Sequence, residues 1–147
     1  MKLSTKTRYA TRAMLELAQH HEEGGLSTRE IAIQQRLSPK YLEHLLTSLR
    51  HASLLRSVRG AQGGHALTRH PAEINLREIY EALEGTEGFV DCTTCPEVCD
   101  RTDICATREI WTELYSASMQ ILESITLEDL AKRAERKQAA QEAKYEI

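Results

Sequence analysis

The chain has 147 residues, 41% hydrophobic and 28% charged, about the size of one ordinary globular domain rather than a disordered segment or two large cores. It has no apolar run of about 18 residues to span a membrane, and its start lacks the unbroken apolar stretch of a signal peptide, so the expected location is the cytosol, where structural disulfides are rare. The net charge of −3 conceals an asymmetry: residues 1–70 carry 11 Lys/Arg against 5 Asp/Glu and all six histidines, whereas residues 71–147 carry 8 against 17, which points to a nucleic-acid-binding half joined to something else.

Aromatic residues make up only 5% and helix formers dominate, so the expected fold is mainly α. A first helix starts near Ser4 or Thr5 and places Ala10, Ala13, Met14, Leu17 and Ala18 on one face. Gly24-Gly25 closes that region. Ser27 and Glu30 then form a capping box at the head of a short helix whose apolar side is Ile31, Ala32 and Leu37. Ser38-Pro39 restarts a helix, with the serine as N-cap and proline in the first turn. Tyr41, Leu42, Leu45, Leu46 and Leu49 make its inward stripe and leave Lys40, Glu43, His44, Thr47 and Arg50 outside. Leu54–Val58 and Ala66–Thr68 read as paired strands around the glycine-rich turn 60–64. Helix, short helix, helix, hairpin is the order of a winged helix-turn-helix.

Past the hairpin, Asn75 and Glu78 form a second capping box for a helix from Leu76 to about Glu84, with Gly85 just beyond it. A long helix is expected from about Ala106 to Ser124. Its Ile110, Leu114, Ala117 and Ile121 recur at spacings of 4, 3 and 4, an apolar seam that a second copy of the chain would cover. Thr126 starts a last short element, and from Lys132 a tail of Lys, Arg, Glu, Gln and Ala follows, helical if it has structure and expected to fray. The resulting division is a DNA-binding domain over 1–85, a cysteine-rich loop over 86–106, a dimerisation helix and short element over 107–131, and a tail over 132–147.

Two sets of residues carry chemistry. On the recognition helix, Glu43 can accept from a cytosine amino group and His44 can donate to a purine N7, while Ser38, Lys40, Tyr41 and Arg50 suit positioning on phosphates. Arg56, Arg59 and Gln62 cluster at the hairpin, and an arginine on such a tip fits a narrow A·T-rich minor groove, a role assigned to Arg59. The second set is Cys92, Cys95, Cys99 and Cys105, all the cysteines of the chain within 14 residues. Clustered thiols in a cytosolic chain point to metal before disulfides. Zinc favours paired CxxC units, of which there is one, and the wider spacings suit an iron–sulfur cluster; spacing leaves both open.

These residues together resemble the Rrf2 (Rrf-two) family of regulators, to which the IscR- and NsrR-like iron–sulfur proteins belong. The resemblance runs from Met1 to about Leu130 and rests on MKLSTKTRYATRAMLELA, on LSPKYLEHLLTSLRHASLLRSVRGAQGGHAL, and on the cysteine array followed by Trp111. It implies a homodimeric winged-helix repressor that binds a palindromic double-stranded operator and holds an iron–sulfur cluster, 2Fe-2S or 4Fe-4S, near the dimer interface. By that resemblance Cys92, Cys99 and Cys105 are cluster ligands, Glu43 is the recognition-helix glutamate and Arg59 the wing arginine. The chain departs from the pattern where other members have a fourth ligand: Arg108 stands in place of a histidine and Arg8 in place of an acidic residue, which leaves Cys95 as the candidate. His44 stands where IscR-like members have glutamine. A zinc site or thiol redox switch on the same fold is the alternative. An electron carrier or thiol oxidoreductase has no use for a recognition helix and an arginine-tipped wing, and no hydrolytic constellation is present, so an enzyme is not expected.

Overall fold

The computed structural model describes residues 2–60 and 63–146. Helix α1 (Thr5–Gln19) begins at Ser4, whose hydroxyl accepts from the Thr7 N–H, and buries the expected face: Ala10, Ala13, Met14, Leu17 and Ala18. Helix α2 (Thr28–Gln35) carries the reciprocal Ser27–Glu30 capping box. Helix α3 (Pro39–His51) starts at the Ser38 cap and buries Leu42, Leu45, Leu46 and Leu49 against α1 and α2.

Strands β1 (Leu55–Val58) and β2 (Gly64–Leu67) pair antiparallel, with Leu55 opposite Leu67 and Ser57 opposite His65. The hairpin is tied back to the helices by a bridge that local patterning does not reveal. Leu26, just before α2, exchanges backbone hydrogen bonds with His65 at 2.8 and 3.0 Å. A Cβ on Gly25 would stand 2.7 Å from the His65 carbonyl oxygen, and one on Gly64 2.8 Å from that of Leu26, so glycine is what allows the two segments to touch.

Helix α4 (Leu76–Glu84) follows the Asn75–Glu78 capping box. The cysteine region is less loop-like than expected. It contains a short helix α5 (Asp91–Thr94) and single 3-10 turns at Pro96–Val98 and Thr102–Ile104. Helix α6 (Ala106–Glu123) has the expected span, and Met119 is its one buried residue.

The final element is more continuous than expected. The short element and the tail join in one helix, α7, over Leu127–Tyr145. A Thr126–Asp129 capping box starts it, and the Ala-, Glu-, Lys- and Gln-rich stretch that follows has high helix propensity throughout. Its first turn belongs to the main core. Leu127 is fully buried with Met14, Leu17, Ile31, Leu42, Leu46, Leu49, Ile74 and Ile79, and Leu130 packs on that cluster. The N-termini of α4 and α7 are clasped by backbone bonds from Leu76 to Ile125 and from Leu127 to Ile74, each 2.9 Å. α7 therefore packs on the body formed by α1–α4 and the hairpin through α1, while α6 touches that body through α4. No helix among the described residues is long and apolar enough to cross a membrane.

Candidate nucleic-acid interface and cysteine segment

Burial of the leucine stripe of α3 turns its other side outward. Ser38, Lys40, Glu43 and His44 are exposed; Arg50 is half-buried. Tyr41 is also half-buried, because its ring meets Tyr9 of α1 edge-on at 6.1 Å and Arg12 sits 5.4 Å over the Tyr9 ring. On the hairpin Arg56 and Arg59 are both exposed, so with Lys40 they add positive charge to the surface formed by helix and wing. Gln62 lies outside the described residues.

Arg50 does more than offer a charge. Its guanidinium donates to the Ser57 hydroxyl of β1 at 3.3 Å and to Thr47 at 3.2 Å, and stands 3.9 Å from Glu43. It thereby fastens the recognition helix to the wing. Glu43 is held from a second side by the Thr28 hydroxyl, which donates to its carboxylate at 2.8 Å and lies 2.9 Å from His65 Nε2. Burial holds the His65 imidazole below its ordinary pKa; Glu43 opposes that effect and Arg50 adds to it. Thr28 and His65 are not legible as site residues in the sequence, because nothing in local periodicity signals a contact between a helix start and a strand 37 residues away.

The four cysteines are spread over successive turns. Cys92 lies within α5 and Cys95 ends it, Cys99 ends the first 3-10 turn, and Cys105 caps α6. All four are free thiols, with Cys95 exposed and the others half-buried. Among the described residues no three His, Cys, Asp or Glu side chains come together as a metal cage. Their chemistry nevertheless suits a thiophilic centre, four soft donors on one short segment. The Thr107 hydroxyl, 3.2 Å from Cys105 Sγ, and the backbone of Arg108 hold that thiol below its ordinary pKa, as expected at the head of a long helix. Arg108 also donates from Nε to the Cys92 carbonyl at 2.8 Å, which links the two ends of the array. Phe89 packs edge-on against Tyr115 at 5.2 Å, and the Tyr115 hydroxyl donates to the Thr86 carbonyl, so the entry to the segment is also fixed to α6.

On α6 the expected seam is bare. Ile110, Leu114 and Ile121 are 54%, 39% and 61% exposed, Trp111 is 41% exposed, and Ala117 lies open between them. Such a contiguous apolar surface is unusual for a monomer.

Comparison with known proteins agrees with this architecture. The profile of the Rrf2 family, described as an iron-dependent transcriptional regulator, matches residues 3–133. The protein Rrf2 of Nitratidesulfovibrio vulgaris is 40% identical over 134 residues, covering 91% of this chain and 89% of its own. The solved structure of T. potens IscR superposes with a TM-score of 0.78 at 40% identity, covering 94% of this chain and 91% of that one. That of CymR, the global cysteine regulator of Bacillus subtilis, gives 0.76 at 41% identity, covering 90% and 98%. The winged-helix fold, the helix and wing surface and these relationships lead to one conclusion: the chain belongs to the Rrf2 family and is a DNA-binding transcription regulator rather than an enzyme.

Proposed function

We propose that the protein is a homodimeric repressor whose hold on a palindromic operator is set by its cysteine segment, with Cys92, Cys99 and Cys105 ligating an iron–sulfur cluster and Cys95 as fourth ligand. The observation that carries this reading is the position of the segment. It is the covalent link between α4, in the DNA-binding body, and α6, which bears the bare apolar seam. When bound, such a cluster supplies a group sensitive to iron, oxygen, nitric oxide or redox state. The residues of the chain do the rest. Drawing the thiols together moves Cys105 and hence the head of α6, and the Arg108–Cys92 bond carries that displacement to α5. In a dimer joined along α6, a shift there alters the spacing of the two recognition helices, which must match half-sites a whole number of helical turns apart.

At each half-site α3 enters the major groove, with Glu43 accepting from a cytosine amino group and His44 donating to a purine N7. Lys40 and Arg56 rest on phosphates, together with Ser38, Tyr41 and Arg50, and Arg59 reaches into the neighbouring minor groove. Gln62 belongs to the same wing.

The test is elemental analysis and absorption of protein prepared without oxygen. Iron and acid-labile sulfide with visible colour, lost in each of Cys92→Ala, Cys99→Ala and Cys105→Ala, supports the reading. A second reading, zinc or a thiol switch at the same cysteines, is favoured by the open arrangement of four free thiols. Colourless protein with stoichiometric zinc and no sulfide would transfer the assignment to it.

A further inference from the structure

The polarity of the hydrogen bonds around Glu43 can be derived from the chemistry of the groups. An ionised carboxylate only accepts, so the single hydroxyl proton of Thr28 is committed to Glu43 Oε2 at 2.8 Å. The Thr28 oxygen must then accept from His65 Nε2 at 2.9 Å, which requires the proton of the neutral imidazole to sit on Nε2. Nδ1 is left without a proton. That agrees with its surroundings, for it is buried and has no hydrogen-bond partner among the described residues, and a proton there would be stranded. The donor chain therefore runs one way, from His65 on the wing through Thr28 at the head of α2 to Glu43 on the recognition helix.

His65 is itself enclosed and tied at its backbone. It is 5% exposed, and its backbone is paired with both Leu26 and Ser57. Thr28 occupies the first position of a capped helix. Glu43, in contrast, keeps a side chain 49% exposed on α3. A long side chain free to rotate in water would lose much of its base preference to alternative rotamers, whereas one tethered through a single oxygen meets DNA in a restricted set of poses.

We propose that Thr28 and His65 are positioning residues for base discrimination: they hold Glu43 through Oε2, while Oε1, 3.9 Å from the Arg50 guanidinium and so beyond hydrogen-bond distance of it, stays able to accept from the base, so that wing and recognition helix read sequence as one unit. This rests on the assignment of Glu43 as a base-reading residue, and the experiment separates the two. An operator is first selected from a random duplex pool. Binding of the full-length protein is then measured on operators carrying each of the four base pairs at every position. Glu43→Ala identifies the base pair that Glu43 reads, as the position where preference collapses; if no position responds, the Glu43 assignment itself falls. At that position Thr28→Val, which keeps the shape and removes the hydroxyl, should lower discrimination by roughly threefold to tenfold, the scale of one net hydrogen bond. His65→Phe should do the same, and Thr28→Ser, which restores the hydroxyl, should return discrimination to the parent value. A role confined to folding would weaken all operators equally and leave the ratio intact. Nitrogen chemical shifts of the His65 ring should show the Nε2–H tautomer in the parent. Parent-like discrimination in both Thr28→Val and His65→Phe, alongside its loss in Glu43→Ala, would overturn the inference, as would an Nδ1–H tautomer.

Discussion

The double substitution Ile110→Glu, Leu114→Glu tests the role of the α6 seam. These side chains are 54% and 39% exposed in the single chain, so about half of each remains to be buried by a partner. Full burial of a Leu or Ile side chain is worth about 1.5–3 kcal/mol, which makes each about 0.7–1.5 kcal/mol on dimerisation. A two-fold interface buries both residues from both copies, so losing them costs about 3–6 kcal/mol, or roughly two to four orders of magnitude in the dimer dissociation constant. Placing four carboxylates in that seam adds repulsion and desolvation to the loss. Because neither residue belongs to the core of the single chain, its melting should barely change in dilute solution, where both proteins are monomeric. Sedimentation equilibrium across nanomolar to micromolar concentrations reads the effect directly. A parent protein that stays monomeric at micromolar concentration, or a variant dimerising as tightly as the parent, would remove α6 from the interface.

Other outcomes follow from the same structure. Leu127→Ala should destabilise the protein by about 2–5 kcal/mol and lower its melting temperature by about 5–20 °C, because the first turn of α7 lies in the main core; a change under 1 °C would detach α7 from it. Operator affinity should fall with a log–log salt slope near −5, since Lys40, Arg50 and Arg56 from two protomers offer about six phosphate contacts worth about 0.9 each, and a slope near zero would contradict this docking. Arg59→Ala should weaken binding most where the flanking minor groove is A·T-rich, measured by comparing A·T with G·C flanks. Hydrogen bonds from the Thr126 backbone and hydroxyl hold the Asp129 carboxyl below its ordinary pKa. A carboxyl depressed on folding contributes stability that is present above its unfolded pKa and lost as pH falls through the folded one. Asp129→Asn should therefore flatten the acid side of the melting-temperature profile; an unchanged acid limb would mean that the cap contributes nothing.

Much of the fold is legible in the sequence because its signals are local. The pairs Ser27–Glu30 and Asn75–Glu78 are three residues apart, Ser38-Pro39 is a dipeptide, and the stripes of α1, α3 and α6 repeat at helical spacing. What escaped depends on distance along the chain. The Leu26–His65 bridge and the Thr28–His65–Glu43 chain join segments that only the folded core brings together. The length of α7 was missed for another reason. Its second half has no apolar stripe to mark it, and its helicity rests on propensity and on an N-terminal turn anchored by Leu127 and Leu130. The four cysteines are evident from composition, whereas their distribution over successive short turns depends on the backbone path from α4 to α6.

The most direct test of the account is the operator affinity of protein prepared without oxygen, compared with that of Cys99→Ala under identical salt. Cys99 is far in sequence from the recognition helix and the wing, so a difference of tenfold or more between the two proteins, with dimerisation unchanged, is the predicted result. Equal affinities on the selected operator would contradict control of DNA binding by the cysteine segment.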